Sequence, residues 1–169
     1  MMQESQSSRQ ATPGGQSSSA AGADSGATAT VVGVMVGVEF AVAVFVNPIL
    51  LRLPAGYSLE ARADGARVLG RVMPFWYFGS LLLTAWLAAV TWGGPAGDAA
   101  VAAAALLAVS VVMSITLLVP INSRSATWTA DHHPADWREQ TQRWDRLNYA
   151  RVAIIVAAFV LTLVAGTVA

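Results

Sequence analysis

The chain has 169 residues, 55% of them hydrophobic and only 12% charged, about half the charge carried by an ordinary soluble domain. Its formal net charge is zero and all ten of its basic residues are Arg, so nothing suggests a nucleic-acid partner. It contains no Cys, which excludes disulfides, thiolate metal sites and cysteine nucleophiles.

Met1 to Ala27 are mostly Ser, Gly, Gln, Ala and Thr without a periodic apolar pattern, and are expected to form a disordered tail. Four apolar runs follow, about Thr28–Leu53, Val72–Trp92, Ala99–Val119 and Tyr149–Val168. Each has roughly the 20 residues needed to cross a hydrocarbon core as a helix. The expected fold is an all-α integral membrane four-helix bundle, residues 28–169. The last helix begins near residue 135 as an extension outside the membrane and enters it from about residue 149.

Arginine placement gives the orientation. Arg52, Arg62, Arg67 and Arg71 lie between the first two runs. Arg124, Arg138, Arg143, Arg146 and Arg151 lie between the last two or just inside the fourth, and only Arg9 falls elsewhere. Both Arg-rich loops should therefore be cytoplasmic and both termini outside, in a multi-pass protein of the cell membrane.

In the first helix, Gly33, Gly37 and Ala41 recur at four-residue steps, a seam that lets another helix approach closely. Glu39, Ala43 and Asn47 share a different face. Pro48 and Pro54 bend or end the helix. Tyr57 to Arg71 reads as a short interfacial helix with Ser58 as its N-cap. The second run opens with Pro74 and the aromatics Phe75, Trp76 and Tyr77, which suit the headgroup belt. The third ends at Pro120, followed by Ile121 and Asn122.

The segment into the fourth helix is the most informative. Trp137, Thr141, Trp144, Asn148 and Arg151 follow a 4-3-4-3 spacing, which places all five on one helical stripe. The stripe starts outside the membrane and ends inside it. Lipid cannot satisfy amide and guanidinium groups, so this face must meet protein or water.

Glu39 and Arg151 are the candidates for chemistry. A carboxyl group deep in a bundle is either a proton acceptor or a bonded structural group, an Arg partner included. Arg151, with Asn148 on its face, is either an oxyanion or enolate stabiliser or a side chain that snorkels to the interface. Asn47 and Asn122 either cap carbonyls freed by their prolines or line a polar mouth. Trp144 and Trp137 either stack an aromatic substrate or anchor the helix at the interface. His132 and His133 are adjacent and point apart, so they read as solvated loop residues, and no metal is expected.

Three pieces carry a family resemblance: FVNPILLRLP at the end of the first helix, VPINSR after the third, and RWDRLNYAR opening the fourth. Within them, Pro120 with Asn122, and Trp144, Leu147, Asn148 and Arg151, carry the pattern. The chain resembles the anthrone oxygenase-like family of small four-helix membrane proteins, many of whose members have no known function. The resemblance implies oxidation of an anthrone to an anthraquinone in polyketide biosynthesis, with molecular oxygen and no cofactor. An anthrone carbanion can pass an electron directly to oxygen, so the protein has to supply an apolar pocket, a base and an enolate stabiliser. Glu39 would then be the base, and Arg151 with Asn148 would hold the enolate.

The expected function is thus a membrane-embedded, cofactor-independent oxygenase for a small apolar phenolic or polycyclic substrate. The alternative is a non-enzymatic accessory subunit or small-molecule binder whose stripe is a partner interface. A transporter is less consistent with four helices lacking visible inverted repeats, unless the chain forms a homo-oligomer.

Overall fold

The computed structural model describes residues 13–168, with side chains from residue 22 onward. Among the described residues there are four long helices and no strand. Helix α1 comprises Pro13–Ala41, the π turn Val42–Val46 and Asn47–Arg52, in one continuous rod. Helix α2 is Ala55–Val90. Helix α3 comprises Pro95–Met113, the π turn Ser114–Leu118 and Val119–Ser125, and α4 is Trp137–Thr167. All four are long and apolar enough to cross a bilayer. The chain is a multi-pass membrane protein.

Each helix packs on its two neighbours in a ring: α1 on α2 and α4, α3 on α2 and α4. The central core joins Val32, Met35 and Val36 of α1 to Met73 and Tyr77 of α2, Leu107 and Val111 of α3, and Ile155 and Ala158 of α4. A smaller cluster of Leu87, Ala88, Ala100 and Ala165 closes the end near the short Thr91–Gly94 turn. Large apolar side chains such as Phe75, Leu82 and Trp92 face outward, as expected where the surrounding solvent is lipid.

Several expectations shift. The first twelve residues of the expected tail lie outside the described residues, but Gly22 to Ala27 are already helical. Their small side chains suit close packing: Ser25 is buried, as is Thr28 just beyond, and a Cβ built on Gly166 would lie 3.3 Å from the Ser25 side chain. The small-residue seam is used only in part. A Cβ on Gly33 would come within 2.9 Å of the Phe159 ring, whereas Gly37 faces open space. Tyr57–Arg71 is not a separate helix. It continues into α2 without a break, and Pro54, not Ser58, occupies the N-cap.

Each π turn ends two residues before a proline, Pro48 or Pro120. Pro48 and Pro120 have no N–H to give to the carbonyl four residues back, and their rings crowd it. The helix responds by widening. Asn47 N–H bonds to Val42 O, and Val119 N–H to Ser114 O, five residues back instead of four. The extra residue changes which side chains share a face. Eight residues along a regular α-helix are about 80° out of register, whereas one inserted residue reduces the offset to about 20°. Glu39 and Asn47 straddle one π turn at that spacing, and Ser114 and Asn122 straddle the other.

Candidate functional site

One cavity of about 530 Å³ opens between the four helices at the end carrying both π turns. That volume falls within the range of small-molecule sites. Its wall is predominantly apolar, with Leu69, Met73, Val111 and Leu118 among the contributors. Polar side chains gather at two levels.

The inner level is built on Arg151. Its Nη2 donates to Glu39 Oε2 at 2.5 Å and to Asn148 Oδ1 at 2.6 Å, and its Nη1 donates to Ser114 Oγ at 3.2 Å. The guanidinium carbon lies 5.2 Å from the centroid of the Tyr77 ring, a cation–π contact. Arg151 is 8% exposed, Glu39 5% and Asn148 0%. Arg151 therefore does not snorkel. The charged pair is desolvated but mutually compensated, the condition under which such burial is tolerated. Donors remain unspent: Arg151 Nε, Asn148 Nδ2 and the hydroxyl of Tyr77 have no partner in the protein. Four helices meet here, with Glu39 from α1, Tyr77 from α2, Ser114 from α3 and Arg151 from α4.

The outer level is built on Arg62 and Asp145. Arg62 Nη1 donates to Asp145 Oδ1 at 3.2 Å and Nη2 to Oδ2 at 3.3 Å, a two-pronged pairing. Nη2 also donates to the Asn47 carbonyl at 3.3 Å. Asn122 Nδ2 donates to Ala66 O at 3.2 Å, and a Cβ on Gly70 would lie only 3.4 Å from that nitrogen. Asn47 Nδ2, Arg62 Nε and Trp144 Nε1 are buried without partners.

Of the residues singled out from sequence, Glu39, Asn47, Asn122, Trp144 and Arg151 line this one cavity. Asn148 stands behind the wall, bonded to Arg151. Trp137 lies apart from the lining, in a buried cluster with Leu59 and Trp128, with Arg138 5.1 Å over its ring. It backs Trp128, which does line the cavity. His133 reaches the Thr129 carbonyl and packs edge-on against Trp137. Among the described residues no three His, Cys, Asp or Glu side chains are grouped for a metal ion.

Sequence reasoning missed Tyr77, Arg62, Ser114 and Asp145. By sequence Tyr77 reads with its aromatic neighbours as a headgroup anchor, yet it is 4% exposed and lines the cavity. Arg62 counted only toward topology. Asp145 sits three residues before Asn148, close to the inward stripe. That spacing was the available signal.

The family model for anthrone oxygenase matches residues 66–161, more than half of the chain. The chain belongs to the anthrone oxygenase family. The match runs from α2 through α4 and takes in Tyr77, Ser114, Asn122, Trp144, Asn148 and Arg151. Glu39, Asn47 and Arg62, which complete the cavity, precede it. No curated protein and no solved structure matches the chain. Family membership points to an oxygenase-like function.

Proposed function

We propose that the cavity binds an anthrone-like phenolic or polycyclic substrate and directs its oxidation by molecular oxygen at the inner level. The observation that carries this reading is Arg151. It is a buried guanidinium, fixed on three sides, whose side chain lines a ligand-sized apolar cavity and whose Nε–H has no partner.

In this reading Arg151 and the Tyr77 hydroxyl hold the substrate's carbonyl oxygen, and their bonds strengthen as that oxygen becomes an enolate. Asn148 and Ser114 fix the guanidinium. Glu39 gives one carboxylate oxygen to Arg151 and keeps the other for the proton leaving the methylene carbon. The carbanion passes one electron to oxygen, the radical pair combines into a peroxide anion, and the proton held by Glu39 returns to give the hydroperoxide. Loss of water leaves a new carbonyl, so the methylene and one dioxygen become a ketone and one water. Oxygen reaches the site through lipid, where it dissolves well. Cofactor independence rests on the carbanion's own reactivity toward oxygen.

The arginine distribution supports cytoplasmic Arg-rich loops, outward termini and a cavity mouth on the cytoplasmic side. A second reading, a non-enzymatic membrane accessory or small-molecule binder, draws on the pairing of Glu39 with Arg151, since a compensated pair can be structural alone.

The test is oxygen uptake by the purified protein in lipid nanodiscs given an anthrone. Tyr77→Phe removes only a hydroxyl that lies beside Glu39 and Ser110 without a hydrogen bond of full geometry to either, so the fold should be retained. The rate is expected to fall about 100-fold, the usual cost of losing one oxyanion donor. A rate equal to the spontaneous background in both proteins would remove the enzyme reading.

A further inference from the structure

We infer that the outer level of the cavity is a second subsite, which takes an uncharged hydrogen-bond acceptor at the far end of the substrate from the reacting carbon. The inference rests on the oxidation reading only for the choice of a fused-ring ligand.

Three observations support it. The first is register. Three helices each contribute one residue to each level at a spacing that keeps both on one face: Glu39 and Asn47, Ser114 and Asn122, Arg151 and Trp144. The first two pairs depend on the π turns, and the third uses an ordinary seven-residue step. At 1.5 Å per residue the levels stand about 10–12 Å apart. Three linearly fused six-membered rings with a substituent at one end would reach from one level to the other, and the wall between them is apolar.

The second is unmet hydrogen bonding. Asn47 Nδ2, Arg62 Nε and Trp144 Nε1 can only donate, all are buried, and none has a partner. A buried donor without a partner costs about 1–3 kcal/mol. All three side chains line one end of the cavity, so a small turn of each would bring its donor to an acceptor oxygen on a ligand.

The third is charge. Arg62 is balanced by Asp145, and Arg67, which also lines the cavity, by Asp64. Among the described residues no uncompensated cation lines that end for an anion, so the subsite suits a carbonyl, ether or ester oxygen rather than a carboxylate.

The experiment is binding of three probes to the full protein in nanodiscs, read by quenching of Trp fluorescence: anthraquinone, its 2-carboxylic acid methyl ester and the free 2-carboxylate. The ester should bind about 3- to 10-fold tighter than either of the others, the usual worth of one or two net hydrogen bonds. That advantage should vanish in Trp144→Phe and shrink in Asn47→Ala, read in these variants by equilibrium dialysis. If one variant fails to fold, the other gives the same ratio. Equal affinity for ester and parent, a preference for the carboxylate, or an ester advantage that survives both substitutions would overturn the subsite. An ester preference in a protein that consumes no oxygen would keep the subsite and remove the reaction.

Discussion

The two ends of the cavity solve the same problem in different ways. Each holds an arginine against a carboxylate from another helix, with both side chains about nine-tenths buried. At the inner end, one nitrogen of Arg151 serves both Glu39 and Asn148, a serine holds another, and a tyrosine ring lies beneath the guanidinium. At the outer end, Arg62 meets Asp145 with two parallel bonds, and its Nη2 also donates to a backbone carbonyl. The inner pair lies within the apolar length of α1 and α4. Asp145, which holds the Arg62 guanidinium, lies six residues before Arg151 on α4, about 9 Å along the helix, and so nearer the headgroup layer. Burial by protein is therefore equal, but depth in the bilayer is not. Depth decides what happens when a partner is lost.

The largest expected effect separates the two ends on that ground. Glu39→Ala leaves a guanidinium uncompensated inside the membrane, and breaking a buried pair in this way costs about 3–5 kcal/mol. Arg62→Ala leaves Asp145 close enough to the headgroups to recruit water, so the loss should be about 1.5–3 kcal/mol, that of its charged hydrogen bonds. Unfolding in a detergent or denaturant titration would rank them. Adding Arg151→Met to Glu39→Ala should restore most of the stability, since an apolar pair of similar volume is tolerated where a lone charge is not. Equal losses at the two ends would end the depth argument.

A smaller effect tests the π turns that align the two levels. Pro48→Ala returns an N–H that Val44 O can accept, which favours a regular α-helix. Regularising the turn would rotate Asn47 by about 100° relative to Glu39. Ligand affinity is expected to fall several-fold while thermal stability holds or rises slightly. Pro120→Ala should do the same through Asn122 and Ser114. Unchanged affinity in both would mean that the levels act independently.

Much of this arrangement is legible in the sequence, for a definite reason. Helix number and the inward stripe of α4 follow from hydropathy and a 3.6-residue period, both local properties. Glu39, Asn47, Asn122, Trp144 and Arg151 stand out because polar groups within apolar runs are conspicuous, and all five line the cavity. What escapes is partnership. Arg62 and Asp145 are 83 positions apart, and each looks like an ordinary loop charge by itself. Tyr77 hides among Phe75, Trp76 and Phe78, and only rotation about α2 turns it inward. The prolines signal a disturbed helix, but not that the disturbance tightens the alignment of Glu39 with Asn47 or brings Ser114 and Asn122 onto one face. Trp137 shares the stripe of Trp144, yet α4 has already left the cavity at that height, so the same face meets Leu59 and Trp128 instead.

The smallest expected effect uses salt to probe the same contrast. Raising ionic strength from 0.1 M to 1 M shortens the screening length from about 10 Å to about 3 Å. Mobile ions reach the headgroup layer but not the apolar interior, so the Arg62–Asp145 pair should weaken while Glu39–Arg151 does not. The expected change is a few tenths of a kcal/mol, near the lower end for ion pairs that solvent can reach. It should be visible only as a difference: on adding salt wild type loses that amount more than Arg62→Ala, which lacks the Arg62–Asp145 pair but keeps exposed pairs such as Arg67–Asp64. Glu39→Ala keeps the outer pair and should show the wild-type salt response from its lower baseline. Were the salt response to follow Glu39 instead, ions would be entering at the inner level. The cavity would then be wet to its floor, and a carbanion formed there would meet water before oxygen.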